Sequence, residues 1–331
     1  MLELDEASAA GYLRERHGIA ATRVEALSGG VSNIVLRVET REGRFVLKQS
    51  RPQLRTRDAW FSDLDRIYRE QEVMEALAGV LPDDTVPRIL FADRANFAFA
   101  MSHAPPARVW KEMLLGGEVE PALGERAGHV LGLIHETSAR QAERFAPFAD
   151  RAVFVQLRVD PFYRRVQERR PEVAAAVAPL IESMLTRREA LCHGDYTPKN
   201  MLVHDRGFML VDYETAHLGD PAMDLGLFLA HLLLKAVRRP EQRAGFFALI
   251  EAFWQGYTAE VRFAAHADLE TRGAAHWGAC LLARIDGTSP VDYLPEEPKR
   301  DLVRRLGRAI LNDGLRRFDD IRGWCDRALN H

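Results

Sequence analysis

Leu191-Cys192-His193-Gly194-Asp195-Tyr196-Thr197-Pro198-Lys199-Asn200-Met201-Leu202-Val203, closed by Leu210-Val211-Asp212-Tyr213-Glu214, is the stretch on which the reading of this chain turns. Apolar, strand-like pieces flank two short loops that hold acidic and amide side chains. Met201-Leu202-Val203 and Met209-Leu210-Val211 form the arms of a hairpin that turns at His204-Asp205-Arg206-Gly207. Asn200 follows Asp195 by five residues on one loop, and Asp212 stands at the far end of the hairpin. A lone HxDxxxxN arises by chance in many chains. Strands on both sides and a second acid at the next strand's end make the pattern specific.

Upstream, Val24 to Val38 alternates on both sides of the small polar tip Ser28-Gly29-Gly30-Val31-Ser32-Asn33, which reads as a hairpin. After a turn at Arg41-Glu42-Gly43-Arg44, Phe45-Val46-Leu47-Lys48 makes a third strand. A lysine in an apolar strand is costly to bury unless a carboxylate or phosphate meets it. A helix over about 61–79 offers Glu70 and Glu72. Arg88 to Ala92 and Phe97 to Met101 complete a five-stranded antiparallel sheet. Ser102-His103-Ala104-Pro105-Pro106 then resists helix and central strand alike, so the chain divides there, into 1–101 and 102–331. The expected fold class is α+β, with a small sheet-bearing lobe and a large helical one.

In the second part, Leu123, Ala127, Val130, Leu131 and Ile134 recur at helical spacing over Pro121–Glu136. Residues 140–160 read as irregular, with Phe154–Tyr163 a loop bordering a pocket, and a helix covers about 171–188. Asp220-Pro221 starts a helix to about Val237, apolar nearly all round and so internal. Helices over 241–260 and 296–318 follow. His129 and His135 have no acid spaced for partnership in their own segment.

Composition narrows the function classes. The 45 basic and 48 acidic residues leave a net charge of −3, which argues against a general nucleic-acid binder. The three cysteines, Cys192, Cys280 and Cys325, form no CxxC pair, which fits free thiols in a reducing cytoplasm and not a zinc site. The longest apolar-rich run, Leu225–Leu234, is too short to span a bilayer, and the acidic N-terminus lacks the pattern of a signal peptide.

Phosphoryl transfer asks a protein mainly for position and charge. Asp195 is placed to meet an attacking hydroxyl. Asn200 and Asp212 are hard oxygen donors suited to Mg²⁺, with Glu214 a further candidate. Gly29 and Gly30, beside Ser32 and Asn33, let backbone N–H groups approach phosphates, and Lys48, paired to one of the two helix glutamates, would reach them. His193 is read as bracing its loop, together with Asp220 and Asp224. Cys192 is read as a small buried hydrophobe.

These residues resemble the aminoglycoside phosphotransferase and choline kinase group, relatives of protein kinases. His193–Asn200 is similar to its catalytic loop, and Asp212-Tyr213-Glu214 to its metal-binding motif. Within the group the likeness is nearest to the 5-methylthioribose kinases, through Val46–Ser50, Pro52, Leu54-Arg55, Leu64–Glu70, Asp160-Pro161-Phe162-Tyr163 and Arg284-Ile285-Asp286-Gly287. It extends from about Leu27 to Tyr293. The resemblance implies a bilobal protein-kinase-like fold, Mg-ATP as cosubstrate, Glu70 as the partner of Lys48, and a small hydroxyl acceptor of sugar type. It also implies that the linker backbone, Met101, Ser102 and His103, meets the adenine. Two departures bear on the acceptor: methylthioribose kinases carry an arginine pair where this chain has Ala283-Arg284, and their catalytic loop lacks the Thr-Pro-Lys-Asn run. Asp160 and Arg284 are the substrate candidates, in segments 154–163 and 277–293; segment 107–118 is the third expected to select it. The alternatives are an aminoglycoside acceptor and a nucleotide-binding pseudokinase. A homodimer is an arrangement the sequence allows without fixing it.

Overall fold

The computed structural model describes residues 2–27, 33–51 and 63–329. The chain starts with α1 (Ala9–His17), preceded by a turn in which Asp5 Oδ1 accepts the N–H groups of Ala7 and Ser8. The strands β1 (Arg23–Ala26), β2 (Asn33–Glu39), β3 (Arg44–Ser50), β4 (Ile89–Asp93) and β5 (Ala98–Ser102) form the expected antiparallel sheet, in the order β1-β2-β3-β5-β4. Strand period two sorts the faces of central β3. Phe45 and Leu47 pack with Leu4, Tyr12 and Leu13 on the α1 side; Val46 shares the other face's core with Phe99 and Met101. Lys48, two residues beyond Val46, therefore emerges on that second face. There lies α2 (Arg66–Leu77), whose Ile67, Glu70, Met74 and Leu77 recur at helical spacing and are wholly buried. Glu70 occupies an otherwise apolar stripe.

Ser102, read as the first linker residue, is instead the last residue of β5; its N–H donates to Arg88 O at 2.8 Å. The chain then leaves the sheet through β6 (Arg108–Val109), α3 (Trp110–Gly116) and α4 (Pro121–Arg140). The segment expected to be irregular is helical: α5 (Ala142–Phe145), α6 (Ala152–Phe154), a π-helical stretch Val155–Arg164 and α7 (Arg165–Arg169). Phe154–Tyr163 is thus no loop. Pro161 lies inside the π turns, whose wider register accommodates the missing N–H and the ring that would break an α-helix.

Next come α8 (Ala174–Thr186), β7 (Ala190–Cys192), the hairpin β8 (Met201–His204) and β9 (Gly207–Leu210), and β10 (His217–Gly219), antiparallel to β7. Helix α9 (Ala222–Arg238) follows and is buried along nearly its full length, as its composition implies. α10 (Arg243–Glu260) lies against α4 so closely that a Cβ on Gly128 would sit 1.9 Å from Phe253 O. Helix α11 (His266–Asp286) flanks α9. The helix expected over 296–318 is α12 (Glu297–Asn312), which ends early; Gly314 follows at φ 77°, and a further helix, α13 (Phe318–Leu329), lies beyond the expected span. Among the described residues no helix is long and apolar enough to cross a membrane.

Candidate active site

The site is built on two loops anchored to α9. Asp224, in the first turn of α9, accepts the N–H groups of His193 at 2.7 Å and Gly194 at 2.9 Å. Its Oδ2 also lies 3.4 Å from His135 Nε2, while His135 Nδ1 meets Tyr257 OH at 3.0 Å. His135 thus has the acidic partner its own segment does not supply. The cluster His135, Cys192 and Asp224 has the proximity of a metal site, but the carboxylate is already spent on two backbone donors. Asp220 accepts from Ala222 N at 3.0 Å and from Arg272 and Ser183, holding the start of α9. Asp224 thus contacts the loop directly, and Asp220 the start of the helix that carries Asp224. Gly194 has φ 76°, and a Cβ there would sit 2.7 Å from Thr215 O, so only glycine fits this loop without strain. His193 Nδ1 accepts the Asp195 N–H at 3.2 Å, and burial pushes the imidazole below its ordinary pKa, so it braces the loop as a neutral ring.

Asp195 is buried and receives three donors on a single oxygen. Arg158 Nη2 at 2.7 Å, Lys199 Nζ at 2.8 Å and Asn200 Nδ2 at 2.9 Å all converge on Oδ2. None of these contacts engages Oδ1. Burial pushes the Asp195 pKa up, but the charges of Arg158 and Lys199 more than reverse this and hold it below the usual value. The carboxylate is ionised at neutral pH and weakly basic, suited to orienting a hydroxyl more than to stripping it. Arg158 comes from the π-helical stretch, where its Nε also donates to Gly194 O at 2.9 Å. No pattern in the sequence points to it.

Across from this loop stands Asp212, a non-glycine residue at φ 74°, a backbone state that strains an L-residue and recurs at functional sites. Its Oδ1 receives Lys48 Nζ at 2.9 Å, and the same ammonium lies 2.8 and 2.7 Å from the two oxygens of Glu70. Burial alone would lower the Lys48 pKa; Asp212, Glu70 and Glu214 together raise it above its ordinary value. Burial outweighs Lys48 at Glu70, whose carboxyl is pushed up to about 7. The pairing chosen from Glu70 and Glu72 is settled here: Glu72 turns to exposed Arg94.

Glu214 is held from two sides. Asn33 Nδ2 donates to its Oε2 at 2.9 Å, and Arg66 Nε approaches the same oxygen at 3.2 Å from a wholly buried side chain. Arg66 was not singled out from sequence, although a buried arginine on the core face of a helix carries the same signal as Lys48. Gly29, Gly30 and Ser32 lie outside the described residues, as do Pro52, Leu54 and Arg55. Met101 pairs with Val46 in the sheet, and the His103 ring nitrogen Nδ1 lies 2.5 Å from Ala104 O. Asp160 is exposed and ion-paired to Arg164 on its own turn, so it does not join the site; Arg158, two residues earlier, takes that place. Arg284 lies with its guanidinium 5.6 Å from the Phe162 ring centre, on the opposite account from Asp160: it faces the interior near Asp195.

The Asp195 loop, the Asp212 turn and the lysine–glutamate pair all lie within one stretch matched by a family model: residues 23–264 fit that of the phosphotransferase enzyme family. The chain belongs to that family. A methylthioribose kinase of Geobacillus sp. (strain WCH70) is 25% identical over 262 residues, covering 70% of this chain and 65% of its own length. The chain therefore spans just under two thirds of that curated relative. Among solved structures, the macrolide 2'-phosphotransferase of Brachybacterium faecium superimposes with a TM-score of 0.54 at 18% identity, covering 92% of this chain and 98% of its own. A spectinomycin phosphotransferase, solved with ADP and spectinomycin, gives 0.53 at 14% identity, covering 98% and 95%. The α+β protein-kinase-like fold of the phosphotransferases is thus the fold of this chain.

Proposed function

We propose that this protein transfers the γ-phosphoryl group of Mg-ATP to a hydroxyl of a small sugar or sugar-like acceptor. The observation that carries this reading is the asymmetry of Asp195: three donors clamp Oδ2, leaving Oδ1 to receive an acceptor O–H. Asn200 spends its Nδ2 on the same carboxylate, so its Oδ1 is the amide atom left to act as a ligand. With the Asp212 oxygen not engaged by Lys48, this gives the hard-oxygen donor set that Mg²⁺ favours. When bound, the ion offsets charge on the phosphates. Lys48, ordered by Glu70, contributes positive charge to the same phosphates, while Glu214, already held by Arg66 and Asn33, positions the Asp212 turn. The functional boundary between the lobes falls, on this reading, at residue 102, and Met101–His103 meets the adenine. The working compartment is the cytoplasm, in keeping with three free, buried cysteines.

An aminoglycoside acceptor is disfavoured by charge, because Arg158 and Lys199 stand at the atom it would have to approach. The test is ATP consumption over a library of neutral, anionic and cationic polyols. An Asp195→Asn variant with wild-type melting should lose about a hundredfold or more of the turnover. Undiminished turnover would sink the mechanism.

A further inference from the structure

Helix α9 carries one lysine in its buried core, and among the described residues no carboxylate contacts it. Lys235 sits between Leu234 and Ala236 with 1% of its surface exposed. Its Nζ donates to His231 O at 3.0 Å and lies 5.2 Å from the ring centre of Tyr293. No carboxylate among the described residues forms an ion pair with it; Glu112 acts on it only through its field. Lys111 Nζ lies 5.9 Å from the centre of the same Tyr293 ring. The Tyr293 hydroxyl and the Arg284 Nε are both buried without a hydrogen-bond partner.

This cluster is linked to the catalytic loop through one aromatic ring. Arg284 and Arg158 lie 5.6 and 5.7 Å from the Phe162 ring centre, and Arg158 grips Asp195. Lys199, also on Asp195, acts on His231 together with Arg284, Lys235 and Lys111, and with burial these charges push His231 well below its ordinary pKa. Burial, then Lys111 and Arg284, push Lys235 down to about 7. Isolated buried charge of this kind is expensive, and a ligand of opposite sign removes the cost.

Resting on the kinase reading above, we infer that the acceptor is a hydroxylated anion, a carboxylate or phosphate ester whose charged group sits against Lys235, Arg284 and Tyr293 while a hydroxyl reaches Asp195. All three segments expected to select the substrate contribute, through Lys111, Arg158 with Phe162, and Arg284 with Tyr293. The bond that forms is acceptor oxygen to γ-phosphorus; the bond that breaks is the β,γ-bridging P–O bond, ADP leaves, and the hydroxyl proton departs by way of Asp195 or solvent. The anionic group takes no part in that exchange.

The test is thermal melting and calorimetry with Mg²⁺ and a non-hydrolysable ATP analogue, so that the γ-phosphate position is filled. D-Gluconate and D-ribose 5-phosphate are compared with neutral D-sorbitol and D-ribose. The anions should raise the melting temperature where their neutral counterparts do not. Binding at pH 8 should take up a proton, measured in two buffers of different ionisation enthalpy. A response to gluconate alone assigns a carboxylate, and to the phosphate ester alone a phosphorylated sugar. Lys235→Met should weaken anion binding about tenfold or more, and Tyr293→Phe less. No shift with either anion, an equal shift with the neutral polyols, or an undiminished shift in folded Lys235→Met overturns the inference. Failure of the analogue itself to stabilise the protein would strike the kinase reading instead, whatever the polyols do.

Discussion

Two buried lysines stand on either side of the catalytic loop, and their surroundings are opposite. Lys48 emerges from a strand between Glu70 and Asp212, with Glu214 nearby, and its charge is held above the ordinary lysine range. Lys235 emerges from a helix among leucines, and burial, then Lys111 and Arg284, push it down to about 7 against the weaker pull of Glu112. The first is a finished structural pair that a nucleotide site can use at once. The second is incomplete without something negative. The contrast teaches that burial of a charge locates a site, and that the sign of its neighbours says what the site awaits.

Substituting the two lysines should therefore move stability in opposite directions. Lys48→Met leaves Glu70 and Asp212 facing each other in the interior and should cost about 3–5 kcal/mol of unfolding free energy, with turnover lost by about a hundredfold or more. Urea melts and the ATP-consumption assay read both. A Lys48→Met protein as stable as wild type would break the comparison at its stronger end.

Lys235→Met should instead stabilise the ligand-free protein. The folded-state pKa near 7 lies below the ordinary lysine value of 10.5. Between those two pH values the unfolded chain binds more protons, so the wild type gains stability as pH rises. The advantage of Lys235→Met is therefore full below pH 7 and shrinks above it. Paired urea melts at pH 6 and pH 9 measure it; a gap that widens with pH would contradict the assignment.

The smallest effect concerns the arginine between the two regions. Arg158 helps keep the Asp195 pKa low. In Arg158→Met the acid limb of the pH–rate profile should move to higher pH, because Asp195 protonates earlier on the way down. A limb that stays in place would mean that Lys199 alone sets the carboxylate's charge.

Local chemistry made much of the nucleotide side legible. The Asp195–Asn200 loop and the Asp212 turn lie on one short strand–loop–strand run, and Lys48 announces itself by the cost of a cation in an apolar strand. The acceptor side did not announce itself in the same way. Lys235 carries the identical signal but is lost in a helix whose neighbours are all apolar. Asp160 stands out through the family-like Asp160-Pro161-Phe162-Tyr163 run, and Arg158 carries no such mark; the π-helix turns Asp160 to solvent and Arg158 to the carboxylate. The partnership of His135 with Asp224 spans 89 residues and has no periodicity to betray it.

By itself, then, the sequence determined the strand order of residue types, the two acid-bearing loops and a strand lysine with two candidate helix glutamates. These depend on near neighbours: alternation, helical spacing and the turn chemistry of a few residues. Only the tertiary structure decided which oxygen of Asp195 is occupied, that α9 anchors the loop, and that four cations, Lys111, Lys199, Lys235 and Arg284, act together on His231. Electrostatic fields act through space between elements far apart in the chain. Their sum at one atom has no local pattern to read.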